Sequence, residues 1–112
     1  MTKKYELIEN DSTTMGGFSK TGNPNTVFRI KALKDFSNVK KGDLGGYIES
    51  EMNLSHEGNC WVYDDSKLFE NAKLSGDAIM KNFAWVYNNA DISGNIIIDG
   101  GRILDDTKMS TS

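Results

Sequence analysis

The chain has 112 residues, 38% of them hydrophobic, and a net charge of -3. That suits one small domain and leaves no room for two enzyme domains. One cysteine, Cys60, excludes an internal disulfide framework, and one histidine, His56, excludes a three-histidine metal centre from a single chain. No metal ion and no cofactor is expected.

The opening residues Met1 to Glu6 lead into no apolar stretch of signal-peptide length, and the longest aliphatic run is Ile96-Ile97-Ile98. The expectation is a soluble protein that does not enter a membrane. Charge is uneven: residues 1–50 carry eight Lys/Arg and six Asp/Glu, residues 51–112 five and ten. No Lys/Arg cluster goes beyond a pair such as Lys40-Lys41, so a nucleic-acid footprint is not indicated.

In chain order, residues 1–47 read as an N-terminal β module. Tyr5-Glu6-Leu7-Ile8 is expected to pair with Val27-Phe28-Arg29-Ile30-Lys31-Ala32, where apolar and basic residues alternate as in a half-buried strand. Between them, residues 10–25, with Met15-Gly16-Gly17-Phe18, read as a long mobile loop. The turn Asn38 to Asp43 then leads into Leu44-Gly45-Gly46-Tyr47-Ile48. Those glycines permit a tight bend, and no Gly-Lys-Ser/Thr ending marks a phosphate loop.

Residues 48–106 carry a six-residue repeat. Every sixth residue from Val62 is aliphatic: Val62, Leu68, Leu74, Met80, Val86, Ile92, Ile98 and Leu104. Two residues earlier stand Cys60, Ser66, Ala72, Ala78, Ala84, Ala90, Ile96 and Arg102, mostly small. Two residues later stand Asp64, Glu70, Gly76, Asn82, Asn88, Gly94 and Gly100. One further stand Asp65, Asn71, Asp77, Phe83, Asn89, Asn95 and Gly101. Most of these are turn formers. Four residues alternate in and out as a short strand does, and two turn a corner. A helix of period 3.6 would scatter the aliphatic column. Upstream, Ile48 and Leu54 continue the small column, and Ser50 and His56 the aliphatic one, as in a capping coil. Residues 107–112 are expected to fray.

Three such units close an 18-residue coil, so residues 18 apart stack. Trp61, Ile79 and Ile97 then lie outward on one face. Lys67, Trp85 and Ile103 lie outward on the second, with Phe69 and Tyr87 beside them. A third face, with Lys73, Asp91, Ser75 and Ser93, is polar. Large apolar side chains facing water on a small protein call for a cover. The cover is the N-terminal half, a second copy in a dimer or trimer, or a foreign partner. Trp61, Phe69, Ile79, Trp85, Tyr87, Ile97 and Ile103 are therefore the candidate interface. Cys60 reads as a buried inert thiol. His56 reads as a capping or surface residue rather than a general base, since no placed partner is evident.

The units Leu68 to Lys73, Leu74 to Ile79 and Val86 to Asp91 resemble the hexapeptide repeat of left-handed parallel β-helices. The resemblance implies a mainly β fold in which a short N-terminal antiparallel β module leads into a short left-handed parallel β-helix. The combination of Phe28 to Leu33, Val39 to Glu49 and Asn53 to Asp64 also resembles small phage and prophage hexapeptide-repeat proteins. It implies a host bacterial cytoplasm. From the class, rather than from any residue, it suggests a non-catalytic anti-CRISPR-like inhibitor that blocks a host or defence protein. A self-assembling structural protein is the alternative. A minimal hexapeptide acyltransferase-like enzyme ranks third.

Overall fold

A computed structural model describes residues 3–15 and 24–110. All its elements are strands, and they build antiparallel N-terminal strands followed by a left-handed parallel β-solenoid of about four turns.

β1 (Tyr5–Met15) pairs antiparallel with β2 (Asn25–Ala32), starting at Tyr5 opposite Ala32, Glu6 opposite Lys31 and Leu7 opposite Ile30. The expected hairpin is thus present and longer than expected. Residues 10–15, read as loop, continue β1, because Thr13 and Thr14 find partners in Val27 and Thr26 past a bulge after Ile8. Asn25, the last residue of the expected loop, opens β2, and residues 16–23 lie outside the described residues.

β3 (Leu44–Ile48) belongs to both parts of the molecule. It pairs antiparallel with β2 and parallel with β5 (Lys67–Leu68), which continues into β8 (Trp85–Val86) and β11 (Arg102–Ile103). The second side of the prism is β4 (Trp61–Val62), β7 (Ile79–Lys81) and β10 (Ile97–Asp99). The third is β6 (Lys73–Leu74), β9 (Asp91–Ile92) and β12 (Lys108–Met109), with Leu54 bridging to Leu74. Lys108–Met109 was expected to fray and instead pairs with Asp91–Ile92.

The columns read from the sequence become layers. Cys60, Ser66, Ala72, Ala78, Ala84 and Ala90 are fully buried, as are Val62, Leu68, Met80, Val86 and Ile92. The third column turns the corners in the left-handed region, with φ 58° at Asp64, 59° at Glu70, 55° at Asn82 and 62° at Asn88. A strand of two residues cannot hold itself. It is held because every coil repeats the same alternation above and below, so the ladder bonds and the apolar column form together.

The repeat slips twice. Ile48 lies opposite Leu68 and Leu54 opposite Leu74, each 20 residues apart, so both belong to the large aliphatic column. Ser50 and His56 fall outside it, contrary to the upstream reading. Two extra residues between Leu54 and Gly58 cause the slip. In the last coil Arg102 lies opposite Trp85 and Ile103 opposite Val86, 17 apart. Gly100 and Gly101, at φ 73° and 76°, close that corner with one residue fewer. Ile103 therefore occupies the inward column instead of the outer face, and Leu104 joins a side cluster.

The N-terminal strands seal one end of the prism. Tyr5, Ile30, Val39 and Phe36 pack on Trp61, whose ring meets Phe36 edge-on at 5.2 Å and Tyr5 at 6.2 Å. Farther along the hairpin, Met15 and Val27 cover Phe69 and Tyr87, whose rings stack at 5.0 Å.

Candidate functional site

The seven residues expected to form an interface do not form one surface. Trp61, Phe69 and Tyr87 are buried beneath the chain's own N-terminal half. They do point outward from the solenoid, but the hairpin supplies the cover. Ile103 faces inward. Trp85 and Ile79 are half-buried, and Ile97 is 59% exposed. Among the described residues, no group of three or more His, Cys, Asp or Glu side chains could hold a metal ion, and no helix is long and apolar enough to cross a membrane.

The extra residues after Leu54 build the first polar cluster. His56 lies flat against Tyr5, centroids 4.1 Å apart. The Lys4 amide donates to His56 Nδ1 at 3.1 Å. The ring proton is therefore on Nε2, where it is donated to Glu51 Oε1 at 2.7 Å. Glu51 also meets Lys3, and these two contacts hold its carboxyl below the usual range, His56 contributing most. With its one lone pair engaged by a backbone N–H, the neutral imidazole has no basic nitrogen facing a substrate. His56 anchors the start of β1.

Lys4, which the sequence did not single out, is fully buried. Its ammonium donates to the carbonyls of Cys60 at 2.7 Å and Gly58 at 3.2 Å, and lies 3.4 Å from the Cys60 thiol. These belong to the coil that has no full turn beneath it. Burial pushes the Lys4 ammonium down and the Cys60 thiol up from their ordinary values. Burial, seconded by the Glu51 charge, also raises the Tyr5 phenol, whose hydroxyl donates to the Leu54 carbonyl at 2.6 Å.

The folded state keeps Tyr5 neutral at a pH where the unfolded chain ionises it. Its contribution is whole below about pH 10 and falls above it by up to about 1.4 kcal/mol per pH unit. Cys60 acts in the same direction from its lower usual pKa, whereas Lys4 opposes, since the unfolded chain alone keeps that proton. The difference between wild type and Tyr5→Phe isolates the phenol. Urea titrations from pH 8 to 11 should show the two stabilities converging above about pH 10. A constant gap would contradict it.

The six-stranded sheet carries the second cluster. Arg29 lies opposite Tyr47, Tyr47 opposite Lys67, Lys67 opposite Trp85, and Trp85 opposite Arg102. Cations and aromatic rings thus alternate over five strands. Arg29 lies 4.4 Å and Lys67 5.0 Å from the Tyr47 centroid, and Arg102 4.7 Å from that of Trp85. At one end Arg29 is neutralised by Asp11 at 3.2 Å and Asp65 at 2.9 Å. At the other end Lys67, Phe83, Trp85, Gly101 and Arg102 line a cleft of about 350 Å³.

The solenoid and its six-residue columns fit a hexapeptide-repeat protein. No protein-family model matches the chain. It is 36% identical over 78 residues to a curated Escherichia coli K12 protein named uncharacterized acetyltransferase YdcK. That stretch is 67% of this chain and 23% of the relative, so the chain spans about a quarter of the relative's length. This likeness overturns two expectations drawn from the phage resemblance, that the protein is a non-catalytic anti-CRISPR-like inhibitor and that it is no enzyme.

Proposed function

We propose that the protein takes part in acetyl transfer, as a hexapeptide-repeat acyltransferase-like enzyme. The observation that carries this reading is the 36% identity to a protein named an acetyltransferase. The solenoid supports it as a scaffold, although fold alone would not fix an activity. In the reaction proposed, an acceptor amine or hydroxyl attacks the carbonyl of an acetyl thioester. The acetyl–sulfur bond breaks, the acceptor's proton is lost, and the thiol leaves. His56 is not the base that takes the proton, because its nitrogens are committed to Lys4 and Glu51. The acceptor therefore arrives as a free amine or surrenders its proton to another group.

The test is thiol release from acetyl-CoA over a panel of amines and hydroxylated sugars, with products identified by mass spectrometry. Acceptor-dependent release by wild type is expected. His56→Gln should keep kcat within about threefold and lose about 1 kcal/mol of stability with the β1 anchor. A folded protein that releases no thiol with any acceptor would refute acetyl transfer. A loss of about 10²-fold or more in a folded His56→Gln would restore His56 as the base.

A further inference from the structure

We propose that the outer edge of β1 takes up a short, extended, basic peptide as a further strand, with a lysine or arginine side chain in the cleft beside Leu7 and Phe28. The inference does not depend on acetyl transfer.

The backbone is the first observation. β1 is an outermost strand of the six-stranded sheet, and among the described residues no strand lies on its far side. The Leu33 amide donates to the Lys4 carbonyl at 2.8 Å, so Lys4, and by alternation Glu6 and Ile8, turn their backbone groups toward β2. Tyr5 and Leu7 turn theirs to the open edge. A row of unpaired donors and acceptors is a template for another chain. The register slips after Ile8, so the straight stretch of edge is short.

Space is the second observation. A cleft of about 460 Å³ lies beside this stretch, between the hairpin and residues 49–51. Leu7 and Phe28 supply its apolar lining. Both lie on the face of the sheet that continues the inward columns, Leu7 opposite Ile30 and Phe28 opposite Ile48. Phe28 is half-buried and belongs to neither core cluster.

Charge is the third. Glu6, Glu9, Glu49 and Glu51 line the cleft against one ammonium, that of Lys3. Glu51 is held by Lys3 and His56, and Glu49 accepts from the Asn25 side chain and the Glu70 amide. Glu6 faces Lys31 across the hairpin, and Glu9 is exposed with no partner among the described residues.

These three features select the occupant. A peptide residue opposite Leu7 shares its face and sends its side chain into the cleft. A long basic side chain suits that place, because its stem covers Leu7 and Phe28 while its head meets the carboxylates. The residues on either side of it lie beside Glu6 and Ile8 on the other face. A second copy of the chain fits worse: two such edges joined about a two-fold axis would crowd the carboxylates of both copies along one seam.

Fluorescence anisotropy tests this with the dye-labelled pentapeptide Lys-Val-Lys-Val-Lys, its C-terminus amidated. Saturable binding is expected with a Kd at or below about 100 μM, at least tenfold tighter than Glu-Val-Glu-Val-Glu. Methylating the lysine amides or the valine amides removes one alternate set of donors. One set should abolish binding and the other spare it, since a strand offers a single set to its neighbour. Glu9→Lys should weaken binding about tenfold at an unchanged melting temperature, and Asp106→Lys, in the last coil, should not weaken it. No saturable binding up to about 1 mM, equal binding of the acidic peptide, the same effect from both methylated forms, or indifference to Glu9→Lys would overturn the proposal. So would cadaverine binding as tightly as the peptide, which marks a small-amine pocket. A dimer in sedimentation velocity that the peptide leaves intact and cannot enter would give the edge to a second copy and overturn it as well.

Discussion

Gly46→Ala should cost at least about 3 kcal/mol and lower the melting temperature by roughly 10–15 °C. The new methyl would press into the Ser66 carbonyl oxygen and lie 2.6 Å from Val62 Cγ1. Ser66 is fully buried, and its carbonyl accepts the Tyr47 amide at 2.9 Å. Moving either atom pulls β3 from the coil on which it lies. Gly45, one residue earlier, is crowded on its other side by Ile30 and Trp61, so β3 cannot rotate away. Gly42→Ala is the control. At φ 96° with nothing within 4 Å of the added carbon, it feels backbone strain alone and should lose about 1 kcal/mol. Equal losses in the two variants, read by urea denaturation, would mean that backbone freedom rather than close approach keeps glycine at 46.

Lys4→Met should lose about 2–4 kcal/mol, and Lys4→Ala more. The methionine keeps the buried stem but leaves the Gly58 and Cys60 carbonyls without their donor, and a buried unsatisfied acceptor costs about 1–3 kcal/mol. Alanine adds a cavity beside Phe36. Neighbouring Lys3, paired with Glu51 across an exposed 3.2 Å contact, should tolerate methionine within about 0.5 kcal/mol. The comparison separates a charge that plugs a coil end from one that decorates a surface. Chemical denaturation of the three variants decides it, and a Lys4→Met as stable as wild type would show that the Lys4 charge plugs nothing.

The aliphatic, small and left-handed columns from 60 to 98 were legible because each demands a residue type every sixth position, and no other regular structure shares that period. Lys67 and Trp85 could be placed side by side by the same rule. Tyr47 and Arg102, the other ends of their contacts, could not. They sit 20 and 17 residues away, since corners gain and lose residues without disturbing the stacking. The outward direction of Trp61, Phe69 and Tyr87 was read correctly from the alternation. Their burial was not, because the strand that covers them is remote in sequence and matched by shape rather than by period. Lys4 was invisible for a different reason: one lysine among 13 basic residues has no local sign that its chain end will fold inward.

The two corners where the residue count departs from six are the places of design in this fold. One, between Leu54 and Gly58, produced the Lys4–His56 anchor. The other, at Gly100 and Gly101, opened the cleft beside Trp85. The flat sides of the prism are templated by the turns above and below, so novelty there must be copied through the stack. A corner is private to its own turn. It can lengthen, shorten or accept a bulky residue such as Phe83, at φ 62°, while its neighbours continue unchanged. In this architecture, new chemistry accumulates at the hinges of the repeat, and lapses in the period mark where it has been grafted.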